Sequence, residues 1–181
     1  MTSRCLLVLL LLSPGIVAAE VVDSGAGGFT VEHRVVANAT REQAWQATVD
    51  GIGHWWNGDH TVSGDAANLY IDPRPLGCFC ERLGERSGLV HLVVTFVNPG
   101  VMLRLTGGLG PLGLMGVNGN FTLEYEDAAD DGSQVTITLR YAVGGYRAGG
   151  LDALAAPVDG VLGEQLRRLA AYLDSGRAAG G

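Results

Sequence analysis

Asn120-Phe121-Thr122-Leu123-Glu124-Tyr125-Glu126 and Gln134-Val135-Thr136-Ile137-Thr138-Leu139-Arg140-Tyr141-Ala142-Val143 alternate apolar and polar side chains with a period of two. Successive side chains of a strand point to opposite faces of its sheet. Phe121, Leu123 and Tyr125 therefore share one face, as do Val135, Ile137, Leu139, Tyr141 and Val143. Asn120, Thr122, Glu124 and Glu126 turn the other way, with Gln134, Thr136, Thr138 and Arg140. Asp127–Gly132 separates the strands and ends in the turn Asp130-Asp131-Gly132, so the pair reads as a hairpin. One wet face and one dry face are the mark of an antiparallel sheet that needs cover on one side only.

More strand precedes this hairpin. Asn68–Asp72, Cys78–Leu83 and Leu89–Val97 are rich in β-branched and aromatic residues. Asn98-Pro99-Gly100 is a turn, which makes Val101–Thr106 the antiparallel partner of Leu89–Val97. Within Leu89–Val97 the set Val90, Leu92, Val94 and Phe96 is uniformly apolar and is placed inward, which puts His91 outward. Arg104 alternates with Leu103 and Leu105 and is placed outside. Phe29–Val36 is an earlier strand. It leads to a helix over Arg41–Val49, capped by Thr40 with Gln43 as its reciprocal partner, with Ala44, Trp45 and Thr48 inward. Gly51 and Gly53 lead into a loop or short second helix carrying Trp55 and Trp56.

The chain closes with a long helix. Val158, Leu162, Leu166, Leu169 and Leu173 recur at three- and four-residue steps, Pro157 is assigned to the first turn after the lead-in Leu151–Ala156, and Ser175-Gly176 ends it. Gly160 and Gly163 weaken such a helix by about 1 kcal/mol each relative to Ala, which predicts close approach to another element. The fold class is therefore α+β. A curved antiparallel sheet of about six to seven strands wraps around the C-terminal helix, with one or two short helices after the first strand. That helix is the one element long enough to cover the dry face, and a hollow is expected between them.

This order of elements resembles the helix-grip fold of the SRPBCC superfamily, also called START-like. The local matches are Ala39-Thr40-Arg41-Glu42-Gln43-Ala44-Trp45, Trp55-Trp56, Gly77-Cys78-Phe79-Cys80-Glu81, Gly107-Gly108-Leu109-Gly110-Pro111-Leu112 and the terminal helix. Exported bacterial members of the polyketide cyclase/dehydrase-like branch are similar. The resemblance covers about residues 29–174 and implies binding of a hydrophobic small molecule, such as a lipid or polyketide. Some members are cyclases or dehydratases.

Adjacent Trp residues cannot both enter one core from one regular element, so at least one of Trp55 and Trp56 is expected to line the hollow. Tyr70, Phe79, Phe96, Phe121 and Tyr141 complete the expected lining. Glu81 has two registers. With Phe79 it faces the hollow, where a raised pKa would suit it to acid–base work. In the other register Cys78, Cys80 and Arg82 turn inward and Glu81 meets water, which is favoured because a buried unpaired carboxylate is costly. Glu81 and Tyr141 are the candidate proton donors if the chain is an enzyme. Cys78 and Cys80 are expected as buried free thiols, with a local disulfide as the alternative.

Gly108-Leu109-Gly110-Pro111-Leu112-Gly113 satisfies G-x-G-x-x-G but lies between strands, and Pro111 lacks an N–H. It is read as a loop at the pocket mouth and not as a dinucleotide site. His54, Asp59, His60, Cys78, Cys80 and Glu81 are metal-ligand types without a metal-site spacing, so no metal or cofactor is assigned.

At the N-terminus Arg4, the apolar run Cys5–Leu12 and Val17-Ala18-Ala19 form an export signal over residues 1–19, too short to span a bilayer. Residues 20–28 are read as a linker and 175–181 as a tail. The mature protein is then periplasmic or secreted. The formal charge of -7, less the one positive charge of Arg4, becomes -8. All twelve basic residues are Arg. This acidic balance argues against nucleic acid as a partner. The functional expectation is an exported binding protein for a small hydrophobic molecule. The alternatives are a cyclase or dehydratase acting on such a ligand, and an interaction domain with a filled interior.

Overall fold

The computed structural model describes residues 20–176, so the expected export signal lies outside the described residues. The strands are β1 (Glu20–Gly25), β2 (Gly28–Ala37), β3 (Leu69–Ile71), β4 (Cys78–Gly84), β5 (Ser87–Asn98), β6 (Met102–Gly107), β7 (Asn118–Asp127) and β8 (Val135–Gly144). They form one antiparallel sheet of eight strands in the order β1-β2-β8-β7-β6-β5-β4-β3. The helices are α1 (Arg41–Val49), α2 (Ile52–Trp55) and α3 (Asp152–Asp174). The fold is the expected α+β helix-grip arrangement with more strands than expected. The added one is β1: Glu20–Gly25, read from sequence as linker, pairs with β2 as an edge strand.

Local sequence explains these elements. The Thr40 hydroxyl accepts the Gln43 N–H at 3.2 Å, and the Gln43 side chain accepts the Thr40 N–H at 2.9 Å. This box satisfies donors that the first helical turn leaves free. On β7 and β8 the alternating sets hold without interruption: Phe121, Leu123, Tyr125, Val135, Ile137, Leu139, Tyr141 and Val143 are all buried. Helix α3 buries Leu162, Leu166, Leu169 and Leu173, and Leu166 and Leu169 share one lining with Phe121, Leu123 and Leu139 of these strands. It starts earlier than expected, because the lead-in Leu151–Ala156 is helical from Asp152 and Pro157 sits inside the helix. Gly163 makes the expected close approach, against the His33 ring of β2, whereas nothing lies within 4 Å of where a Gly160 side chain would begin.

Strands β4 and β5 depart from simple alternation. Cys80 pairs with Val90 and Phe79 with Leu92, leaving His91 as an extra residue. Val94 pairs with Leu105 and Phe96 with Arg104, leaving Thr95 as a second one. Each bulge sets two residues of β5 against one on its neighbour and reverses the phase of the residues beyond it. Leu92 and Val94 are buried as expected, but Val90 and Phe96 turn outward, at 55% and 40% exposure. His91, expected outside, is buried.

Candidate ligand-binding site

Between the sheet and α3 lies an apolar void of about 20 Å3, room for one water-sized sphere. This corrects the expected hollow: the interior is almost filled by side chains. Trp55, Trp56, Phe79 and Phe121 line the void. Aliphatic walls come from Leu103, Leu105 and Leu139 of the sheet, Leu166 and Leu169 of α3, and Ile52 of α2. Most of those aliphatic positions belong to the inward periodic sets, so the periodicity carried the signal although the aromatic residues drew the assignment.

Both indoles reach the void because the backbone changes direction between them. Trp55 ends α2, while Trp56 is extended with φ -64° and ψ 141°. Each is 5% exposed. The Trp55 Nε1–H donates to the Ala47 carbonyl at 2.8 Å, and the Trp56 Nε1–H to the His60 carbonyl at 3.2 Å. Their ring centroids are 5.6 Å apart, and Trp56 meets Phe79 edge-on at 5.3 Å. Helix α3 clamps the same segment from the other side. The Arg168 Nε–H donates to the Trp55 carbonyl at 2.7 Å, Gln165 Oε1 accepts the Asn57 N–H at 2.8 Å, and Glu164 Oε1 accepts from the Asn57 amide at 2.7 Å.

Three residues expected in the lining lie elsewhere. Tyr70 pairs with Cys80 and turns to the outer face, where the Arg82 guanidinium sits 4.3 Å over its ring. Phe96 is carried outward by the Thr95 bulge and lies under Arg104. Tyr141 is fully buried, but its hydroxyl donates to the Gly107 carbonyl at 2.8 Å and accepts the Leu109 N–H at 3.0 Å. Burial pushes that phenol up to about 12. Its polar contacts thus hold the 107–109 loop, and it meets Phe121 edge-on at 5.8 Å. The neighbouring Gly110–Met115 is a short 3-10 turn that buries Leu112.

Glu81 is buried at 1% exposure, in the register that the cost of an unpaired carboxylate argued against. That cost does not arise, because the carboxylate is not unpaired. It accepts the backbone N–H groups of Val62 and Ser63, and His91 Nε2 lies 3.0 Å from its Oε2. Desolvation pushes its pKa up, but the hydrogen bonds from Ser63, Val62 and His91 outweigh it and hold the carboxyl below its usual range. This is an ionised clamp on the 61–65 loop and not the raised-pKa acid that a dry face suggested. Cys78 and Cys80 form a disulfide with Cα atoms 5.4 Å apart, which corrects the expectation of free thiols. The bulge opposite Phe79 and Cys80 is the local irregularity that accompanies this pairing.

The void offers no open polar atom. Thr48 is its one polar lining residue. That hydroxyl donates to the Ala44 carbonyl at 2.8 Å and accepts from Tyr125 Oη at 2.9 Å. Among the described residues no three His, Cys, Asp or Glu side chains converge as a metal site would require. No described helix is long and apolar enough to cross a membrane.

A long terminal helix gripped by an antiparallel sheet, with an apolar, aromatic-walled void between them, defines a helix-grip protein. The chain belongs to the family described as polyketide cyclase / dehydrase and lipid transport, which matches residues 28–174. It thus falls within the SRPBCC superfamily that its motifs resemble. Solved structures share the fold at low identity. A conserved protein of unknown function from Enterococcus faecalis, EF2215, has a TM-score of 0.58 at 12% identity, covering 87% of this chain and 77% of its own. The self-sacrificing resistance protein CalC from Micromonospora echinospora has a TM-score of 0.55 at 16% identity, covering 81% and 94%. DynU16, of the dynemicin biosynthetic locus, has a TM-score of 0.57 at 18% identity, covering 81% of this chain and 48% of its own. No curated protein matches the chain.

Proposed function

We propose that this protein is exported, loses residues 1–19 and binds a small hydrophobic molecule between the sheet and α3. The observation that carries this reading is the buried apolar void, walled by Trp55, Trp56, Phe79, Phe121 and leucines from both layers. Pockets that enclose drug-sized molecules run to about 300–1,000 Å3. A ligand of that kind enters only by displacing side chains, and the 52–68 segment is the part of the wall built from loops and short helices. The family description names polyketides and lipid transport, which supports a ligand of polyketide or lipid kind. Binding is favoured over cyclase or dehydratase chemistry because neither Glu81 nor Tyr141 lines the void and the Thr48 hydroxyl is engaged on both sides.

A second reading rests on the small volume itself: a nearly filled interior suits an interaction domain that binds through its surface. Native mass spectrometry of the protein purified without detergent from its exported fraction separates the two. The first reading expects a mature chain beginning at Glu20 with a non-covalent adduct of lipid or polyketide size. A bare chain that also fails to take up hexylbenzene supports the second.

A further inference from the structure

The bulge in β5 turns His91 and Leu92 to the same side of the strand, so the His91 imidazole enters the inner face. Glu81 already accepts two backbone N–H groups and is ionised. An ionised carboxylate only accepts, so His91 must donate to it through Nε2–H. In the neutral ring Nδ1 is then an acceptor. That atom is buried and has no partner. A buried polar atom left unpaired is costly and calls for an explanation.

The surroundings of His91 supply one. Its ring lies 5.1 Å from the Phe79 ring, and Phe79 lies 5.3 Å from Trp56. Phe79 and Trp56 both line the void. One aromatic ring therefore stands between the void and an imidazole already fixed in orientation from behind. Of the other buried atoms without partners, His33 Nε2 and Asp159 Oδ1 face each other at 2.9 Å, while Gln165 Nε2 stays unpaired on a side chain whose Oε1 accepts the Asn57 N–H.

We propose that His91, oriented by Glu81, is the polar anchor of the interior site and selects hydrophobic ligands that carry an aromatic or enolic hydroxyl. The ligand's ring takes the place of the Phe79 side chain against Trp56, and its O–H donates to His91 Nδ1. The rest of the molecule occupies the leucine-lined space. This inference rests on the interior-binding reading and adds to it the chemical class of the ligand. His91 is here a positioning and specificity residue, and no reaction is assigned to it.

The test compares 4-hexylphenol with hexylbenzene by titration of intrinsic tryptophan fluorescence. Each good hydrogen bond to a buried acceptor is worth about a tenfold change in affinity or more. Wild type is expected to bind the phenol at least about tenfold more tightly. In His91→Phe the ratio of the two affinities is expected to fall to about one. Equal binding of both probes to wild type overturns the anchor while leaving interior binding intact. Failure of both probes to bind overturns the interior reading and the anchor together. Long-range 1H–15N spectra of the wild-type histidine rings give a readout that does not need the variant to fold. Bound phenol should shift His91 Nδ1 from a free lone pair to a hydrogen-bonded acceptor. An unmoved Nδ1 with the phenol bound overturns the proposal.

Discussion

The imidazole of His33 lies against the backbone of Gly163: a Cβ atom at that glycine would meet its Cε1 at 2.6 Å and its Nδ1 at 2.9 Å. The contact joins β2 to α3 at a spot where no side chain fits between them. Gly163→Ala should therefore lower stability, although Ala is worth about 1 kcal/mol more than Gly in a helix interior. Gly160→Ala, three residues away with nothing within 4 Å, should raise it by about that amount. Urea denaturation of the two variants checks the opposite signs.

His33 also predicts a pH dependence. Burial lowers its pKa from the ordinary 6.5, against the opposing pull of Asp159 and with help from Arg167. The unfolded chain takes up this proton at a higher pH than the folded one. Stability should thus be full above about pH 6.5, fall as pH drops below that value, and level off beneath the folded-state pKa. Thermal melts between pH 7.5 and 5 should show this slope in wild type and a shallower one in His33→Gln.

Glu81→Gln should cost on the order of 1.5–3 kcal/mol, the usual worth of a charge-assisted hydrogen bond. The amide keeps an acceptor but turns an N–H toward groups that themselves donate. Because the Glu81 pKa is depressed, the carboxylate's contribution is present above the unfolded value and disappears as pH falls through the folded one. Hydrogen exchange at Val62 and Ser63 should accelerate in the variant. Unchanged exchange there would mean the clamp does not hold that loop.

The disulfide closes a loop with a single intervening residue. Chain entropy then limits its contribution to roughly 1.5 kcal/mol. Denatured mature protein should show no free thiol, and Cys78→Ala with Cys80→Ala should lower stability by no more than about that amount.

Much of this architecture could be read from residue pattern because the pattern is local. The capping box at Thr40 and Gln43, the unbroken alternation of β7 and β8, and the leucine spacing of α3 each depend on neighbours within a few positions. The bulges at His91 and Thr95 are different. An inserted residue leaves no compositional trace in a run such as Val90-His91-Leu92-Val93-Val94, yet it reverses which side chains face inward. That single effect explains why Phe96 was expected in the lining and His91 was not. Tyr70 was misplaced for a related reason, since its face is set by pairing with Cys80 across the edge. The size of the void was not legible because it depends on how side chains from distant segments interlock.

Enlarging the void should separate stability from binding. Leu105→Ala removes part of its wall and should cost about 2–5 kcal/mol, while hexylbenzene affinity rises because less side-chain displacement is needed. Chemical denaturation and fluorescence titration of the same preparation measure both.

The central claim is that the space between sheet and α3 receives the ligand, and intermolecular nuclear Overhauser effects test it most directly. With methyl-labelled protein and hexylbenzene, cross-peaks are expected to the methyl groups of Leu103, Leu105, Leu139, Leu166 and Leu169, which surround the void. Cross-peaks confined to the exposed Leu76 and Leu114 would place the molecule on the surface and contradict the account.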